Sequence, residues 1–138
     1  MQTFIDTYTS LNKDNLELLG KIYSNDIVFK DPAHEIHGLV NLKRYFESLY
    51  TNCNSVVFSF SHHQLVENDG FIQWEMSFSH PKLRSGKIIA VPGVSRIHFN
   101  NHGKVDYHRD FFDLGGMLYE HIPLLGRIIS AVKRRLGS

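Results

Sequence analysis

The run His102–Gly116, "HGKVDYHRDFFDLGG", holds three carboxylates and three imidazole or phenol groups within a dozen residues. Read as an extended strand, it puts Asp106, His108 and Asp110 on one face, with Phe112 beyond them, and turns Arg109 to the other. A carboxylate that faces an apolar cavity is costly unless it is paired or protonated, so Asp110 is an expensive choice for stability alone. Two readings follow. His108 and Asp110 are a structural hydrogen-bonded unit, or Asp110 moves a proton while His108 orients it. Asp106 lies nearer the strand's start and is expected to sit clear of the pocket. Asp31, in "FKDP", is either a turn or capping residue or the second acid–base carboxylate. Asp113 reads as a cap for a following helix.

Other groups could line a pocket around these carboxylates. Trp74, Met76 and Phe78 alternate with Glu75, Ser77 and Ser79 in "FIQWEMSFSH". The apolar set is either plain core or the wall of a small-ligand site, which is mostly apolar with a few placed polar groups. Tyr8 and Tyr45 are candidates to donate a hydrogen bond to a developing oxyanion. The expected ligand-lining set is Tyr8, Phe29, His34, Tyr45, Trp74 and Phe112. Nine histidines raise the question of a metal. "HEIH" (His34, His37) and the His62–His63 pair come with no HExxH helix and no cysteine partner, so no metal site is assigned. No organic cofactor is implied.

Periodicity supplies the elements that must hold these residues. Phe4, Ile5, Tyr8 and Leu11 make one helical stripe; Leu16, Leu19 and Ile22 make a second, with Asp14 placed to cap it. "DIVFKDP" reads as a strand stopped by Pro32, and "AHEIHG" as a loop. Leu39, Leu42, Tyr45, Phe46, Leu49 and Tyr50 recur at helical spacing. From Ser55 the period becomes two, giving four strands parted by turn signals at Asn68-Asp69-Gly70, Ser85-Gly86 and Asn100–Gly103. Pro92-Gly93 inside the third of these predicts a bulge where the sheet bends. Helices followed by a meander predict an α+β fold: N-terminal helices on a strongly curved, mostly antiparallel sheet, forming a cone with an internal pocket.

The last stretch, "HIPLLGRIISAVKRRLGS", places Leu124, Leu125, Ile128, Ile129, Val132 and Leu136 on one helical face, with Arg127, Lys133, Arg134 and Arg135 towards its end. A C-terminal amphipathic helix packed on the cone or on a partner is favoured over one lying on an anionic membrane, because the body is near neutral. The 138 residues carry a net charge of +1, which argues against a nucleic-acid partner. A lone Cys53 rules out an intramolecular disulfide and fits a reducing, cytoplasmic setting. No signal peptide or membrane span is indicated. One domain is expected over 1–138, with the cone in 1–116 and a helical extension in 117–138.

"YSNDIVFKDPAHEIHGLVNLKRYFESLY" and "GKVDYHRDFFDLGGML" resemble the nuclear transport factor 2-like superfamily, the cone fold of SnoaL-like polyketide cyclases, ketosteroid isomerases and limonene epoxide hydrolases. The resemblance implies that Asp31 stands where the isomerases keep their proton-moving carboxylate. It puts Asp110 where the epoxide hydrolases keep a water-activating carboxylate, near the acid–base Asp of the cyclases. Thr7 and Ser95 stand in place of the isomerase's oxyanion Tyr and Asp, with Tyr8 next door. Residues near Glu75 and Ser77 replace the hydrolase's Arg and second Asp, so neither full catalytic set is present. The expectation is an isomerase-, cyclase- or hydrolase-like enzyme, or else a non-catalytic binding module, holding a hydrophobic small molecule. A homodimer formed through the open face of the sheet is implied as well.

Overall fold

The computed structural model describes residues 1–83, 86–117 and 131–137. Helix α1 (Gln2–Ser10) is followed by a 3-10 turn (Leu16–Leu18) that runs into α2 (Leu19–Ile22). Then come β1 (Tyr23–Lys30), β2 (Glu35–His37), α3 (Leu39–Asn52), β3 (Ser55–Val66), β4 (Asp69–Ser79), β5 (Ile89–Phe99), β6 (Val105–Phe112) and the short α4 (Leu114–Met117). Residues 131–137 are helical. The expected apolar stripe from Leu124 to Ile129 lies outside the described residues.

The strands form one six-stranded sheet in the order β2-β1-β6-β5-β4-β3. β3 to β6 make the antiparallel meander that the period-two pattern predicts. β1 joins it in parallel beside β6, after the crossover through α3, so the sheet is mixed and does not close on itself. The helices cover one face: α1 packs on β3, and α3 packs on β1 and β2. Phe4, Leu19, Tyr23, Leu42, Phe46 and Ile97 are among the buried residues between the layers. A second cluster of Phe78, Ile89 and Val91 fills the other end.

Several local expectations need correction. "AHEIHG" is no simple loop, because Glu35–His37 pairs with Val28–Lys30 as a short edge strand. The β3–β4 turn is Glu67-Asn68 rather than Asn68-Asp69-Gly70. Val66 faces Asp69, and Glu67 takes the positive φ of 57° that a tight hairpin needs. Asp14 does not cap α2. Instead Asn12 and Asn15 close that turn on each other, Asn15 Oδ1 accepting the Asn12 N–H at 2.7 Å.

No bulge marks Pro92-Gly93, since β4 and β5 stay in register from Asp69↔His98 to Phe78↔Ile89. Pairing with β6 starts only at Gly93, so Pro92 lies where β5 has lost one neighbour and a missing N–H is tolerable. Gly93 is there for another reason. The Trp74 ring crosses it so closely that an added Cβ would fall 2.4 Å from the indole carbons. The register shifts lie elsewhere, at Ser61 in β3, between Tyr23 and Val28 in β1, and at Asp106 in β6.

Candidate functional site

The shift at Asp106 decides which side chains of β6 look inward. Val105 and His108 are both buried, although strict alternation would set them on opposite faces. Asp106 is the extra residue, turned aside to His98 Nδ1 at 2.7 Å and clear of the cavity, as expected. Arg109 is exposed and stacks its guanidinium over Phe111.

Cross-strand register then assembles a hydrogen-bonded chain. Ser95 of β5 lies opposite Asp110, and its hydroxyl donates to Asp110 Oδ1. His108 Nε2 reaches the same oxygen at 2.5 Å. The indole Nε1 of Trp74 donates to Ser95 Oγ at 2.7 Å. On the far side, His108 Nδ1 meets the Tyr23 hydroxyl at 2.7 Å, and Tyr23 meets the Tyr8 hydroxyl. Six side chains from α1, β1, β4, β5 and β6 therefore form one continuous polar line through an apolar interior.

Donor chemistry fixes part of its direction. An indole N–H only donates, so Ser95 must accept from Trp74 and give its single proton to Asp110. A carboxylate only accepts, so the Nε2–H of His108 also points at Asp110. Both bonds fall on Oδ1, which leaves Asp110 Oδ2 without a partner among the described residues. The Tyr8–Tyr23–His108 arm can run either way, because phenols and imidazoles both donate and accept. Burial holds the Tyr8 and Tyr23 hydroxyls well above their ordinary ionisation range. The Asp110 charge adds to this for Tyr8, and the neighbouring Tyr8 does so for Tyr23.

Asp31 has a different environment. Its side chain is 3% exposed, and Oδ1 accepts the backbone N–H groups of Ala33 at 2.8 Å and His34 at 2.7 Å. Oδ2 accepts the Tyr45 hydroxyl at 3.0 Å, and His34 Nδ1 bridges the two oxygens. This is the turn-closing geometry of an aspartate ahead of proline, now also anchoring a tyrosine of α3. Burial first, and the Asp31 charge second, raise the Tyr45 hydroxyl.

All nine sequence-selected residues line one cavity of about 90 Å³: Asp31, His108 and Asp110 with Tyr8, Phe29, His34, Tyr45, Trp74 and Phe112. Its wall also includes Phe4, Phe46, Phe58, Phe60 and Met76. The alternation of Val56, Phe58 and Phe60 in β3 carried the same signal as that of β4 and could have identified two of these. Phe78 belongs to the second core cluster, and Glu75 is exposed. His37 stays outside, beside Glu35 at 3.4 Å. His62 and His63 lie on a separate shallow groove. Tyr23 was missed, and so was the bond from Ser95 to Asp110. Tyr23 bonds to a residue 85 positions away, which no local pattern reveals.

Among the described residues, the cavity has no lysine or arginine on its wall. What it offers is an aromatic enclosure, a carboxylate with one oxygen unpartnered among the described residues, and phenols that remain protonated. Among the described residues, no three His, Cys, Asp or Glu side chains converge as a metal would require. No helix among them is long and apolar enough to cross a membrane.

Known proteins of this architecture are similar in fold. An NTF2-like protein of unknown function from Burkholderia pseudomallei superposes with a TM-score of 0.75 at 15% identity, covering 86% of this chain and 93% of that one. A candidate SnoaL-like polyketide cyclase from Shewanella denitrificans gives 0.70 at 20% identity, covering 84% and 91%. A protein with a ketosteroid isomerase-like fold from Catenulispora acidiphila, in complex with trimethylamine, gives 0.72 at 13% identity, covering 85% and 87%. Curated proteins yield no sequence match. The SnoaL-like domain model matches residues 4–108, most of the chain, and the protein therefore belongs to the SnoaL-like domain family.

Proposed function

We propose that the protein is an acid–base enzyme of the isomerase or cyclase kind, acting on a small hydrophobic molecule and needing no organic cofactor. The observation that carries this reading is Asp110: a carboxylate on the wall of an aromatic cavity, fixed through one oxygen by Ser95 and His108 while its other oxygen has no partner among the described residues. Such a group is oriented as a general base, and Tyr8 lies on the same wall to donate to a developing oxyanion. Asp31, with its lone pairs engaged, serves in this reading by placing Tyr45 and His34. The likeness in fold to the Shewanella protein, a candidate SnoaL-like polyketide cyclase, supports the cyclase side of this reading.

The test is exchange of the α-hydrogens of acetone in deuterated buffer, a probe with four heavy atoms. It suits a cavity smaller than the roughly 150 Å³ that takes benzene. Exchange faster than in buffer, lost in Asp110→Asn, is the expected result. Equal rates for wild type and Asp110→Asn would remove the reading. We also propose that residues 1–138 act as one unit that pairs into a homodimer through the outer face of the sheet, in the cytoplasm.

A second reading, a body docked on an anionic lipid surface, is favoured by one observation. Val132 and Leu136 are 51% and 83% exposed beside Lys133, Arg134 and Arg135. Flotation with phosphatidylglycerol vesicles, lost in Leu136→Glu, would support it. No flotation of the full chain would dismiss it.

A further inference from the structure

The polar line through the core joins two groups that the proposed reaction uses at opposite ends. Asp110 would take a proton from carbon, and Tyr8 would face the oxygen that becomes negative. Both line the cavity, and they are also connected through His108, on the same wall, and Tyr23, behind it. Tyr23 does not line the cavity and is wholly buried, and its hydroxyl has two partners, His108 Nδ1 and Tyr8 Oη. A phenylalanine would fill that space without a hydroxyl to satisfy.

We propose that Tyr8, Tyr23, His108 and Asp110 form a closed proton circuit that converts a small ketone or related carbonyl compound into its enol, with Tyr23 as the relay. This rests on the reading of Asp110 as the base. The circuit starts with Asp110 as carboxylate and His108 as imidazolium, the donors running from Nδ1 to Tyr23, from Tyr23 to Tyr8, and from Tyr8 to the carbonyl oxygen. The α C–H bond breaks and its proton bonds to Asp110 Oδ2. The electron pair it leaves forms the C=C bond, and the carbonyl π pair moves onto oxygen. That oxygen takes the Tyr8 proton, Tyr8 takes that of Tyr23, and Tyr23 takes the proton on His108 Nδ1.

The products are the enol, a neutral Asp110 carboxyl and a neutral His108 still bearing Nε2–H. Atoms and charge balance with no co-reactant. Returning the Asp110 proton to a different carbon completes an isomerisation. Net charge never builds up in the apolar cavity, where an isolated enolate would be costly. Burial of both phenols excludes a standing tyrosinate, so each must gain a proton as it gives one up.

Acetone exchange in deuterated buffer, followed by proton NMR, separates this relay from the simpler reading. Wild type, Asp110→Asn, Tyr8→Phe and Tyr23→Phe are compared, with the fluorescence of the single tryptophan reporting that each cavity is intact. The relay predicts that Tyr23→Phe falls as far as Tyr8→Phe, each by about 100-fold or more. Tyr23→Phe at the wild-type rate with Tyr8→Phe slowed would overturn the relay and leave Asp110 as base. Full activity in Asp110→Asn, or no wild-type exchange above buffer, would overturn both. If Tyr23→Phe does not fold, the nitrogen-15 signals of His108 in the wild type decide. A protonated Nδ1 under saturating acetone supports the relay, and a bare Nδ1 overturns it.

Discussion

Asp31 and Asp110 are the same functional group in two kinds of setting, and the difference lies in which oxygens are engaged. Asp31 spends both oxygens on two backbone N–H groups, a phenol and an imidazole. Asp31→Ala should therefore lower stability by about 1–3 kcal/mol, seen in denaturant titration, because the turn donors and Tyr45 lose their acceptor. Asp110→Asn should leave the melting temperature nearly unchanged while removing exchange activity. The tyrosines add a pH prediction. Tyr50 ionises at about 12 instead of 10.0 because it is buried, and Tyr8, Tyr23 and Tyr45 are raised in the same direction.

Since the unfolded chain gives up these protons first, the stability they represent is complete below pH 10; the share from Tyr50 is lost as the pH climbs towards 12, and that from Tyr8, Tyr23 and Tyr45 goes on falling above it. Tyrosinate absorbance should consequently rise together with loss of near-ultraviolet circular dichroism. A rise worth more than the two remaining tyrosines, Tyr107 and Tyr119, at intact dichroism would contradict this. Parity put His108 and Asp110 on one face with Arg109 opposite, but it put Asp106 there too, which the register shift turns aside. The Tyr8–Tyr23–His108 arm was illegible, because its bonds join residues that only the tertiary fold brings together.

At the scale of elements, Gly93 and Trp74 show how one strand shapes the cavity. The sequence marks Pro92-Gly93 as an irregularity, and the sheet there is nonetheless in register. What it could not tell is that the glycine makes room for a facing indole, which then reaches Ser95 and meets Phe112 edge-on at 6.1 Å. Gly93→Ala should drive a Cβ into that ring and cost about 1–3 kcal/mol, a fall in melting temperature on the order of 5–10 °C. Because Trp74 is the only tryptophan, its emission should shift in the same variant. Unchanged emission and stability would mean that the indole does not lie over this glycine. The helices and the meander were readable from periods of 3.6 and 2. The parallel β1–β6 pairing and the edge strand Glu35–His37 were not, because pairing partners are set by closure of the whole sheet.

For the molecule as a whole, the face of the sheet turned away from the helices has no cover among the described residues. Register lines up Val94 with Phe111 and with Gln73, and puts Phe71 one row away opposite Arg96. Phe71, Val94 and Phe111 are 44%, 40% and 49% exposed and form an apolar strip across β4, β5 and β6. Around it stand Arg96 and Arg109 on one flank and Glu75 on another, so the patch carries both signs of charge. A two-fold interface brings each patch against its own copy, and only a patch with both signs can then pair its charges. The expected state is therefore a homodimer, sedimenting at twice the 16.0 kDa of the chain. Val94→Lys, at the middle of the strip, should sediment as a monomer and keep its fold, because Val94 points away from the core. A wild-type protein that runs as a 16.0 kDa monomer at all micromolar concentrations would show that the strip has another purpose.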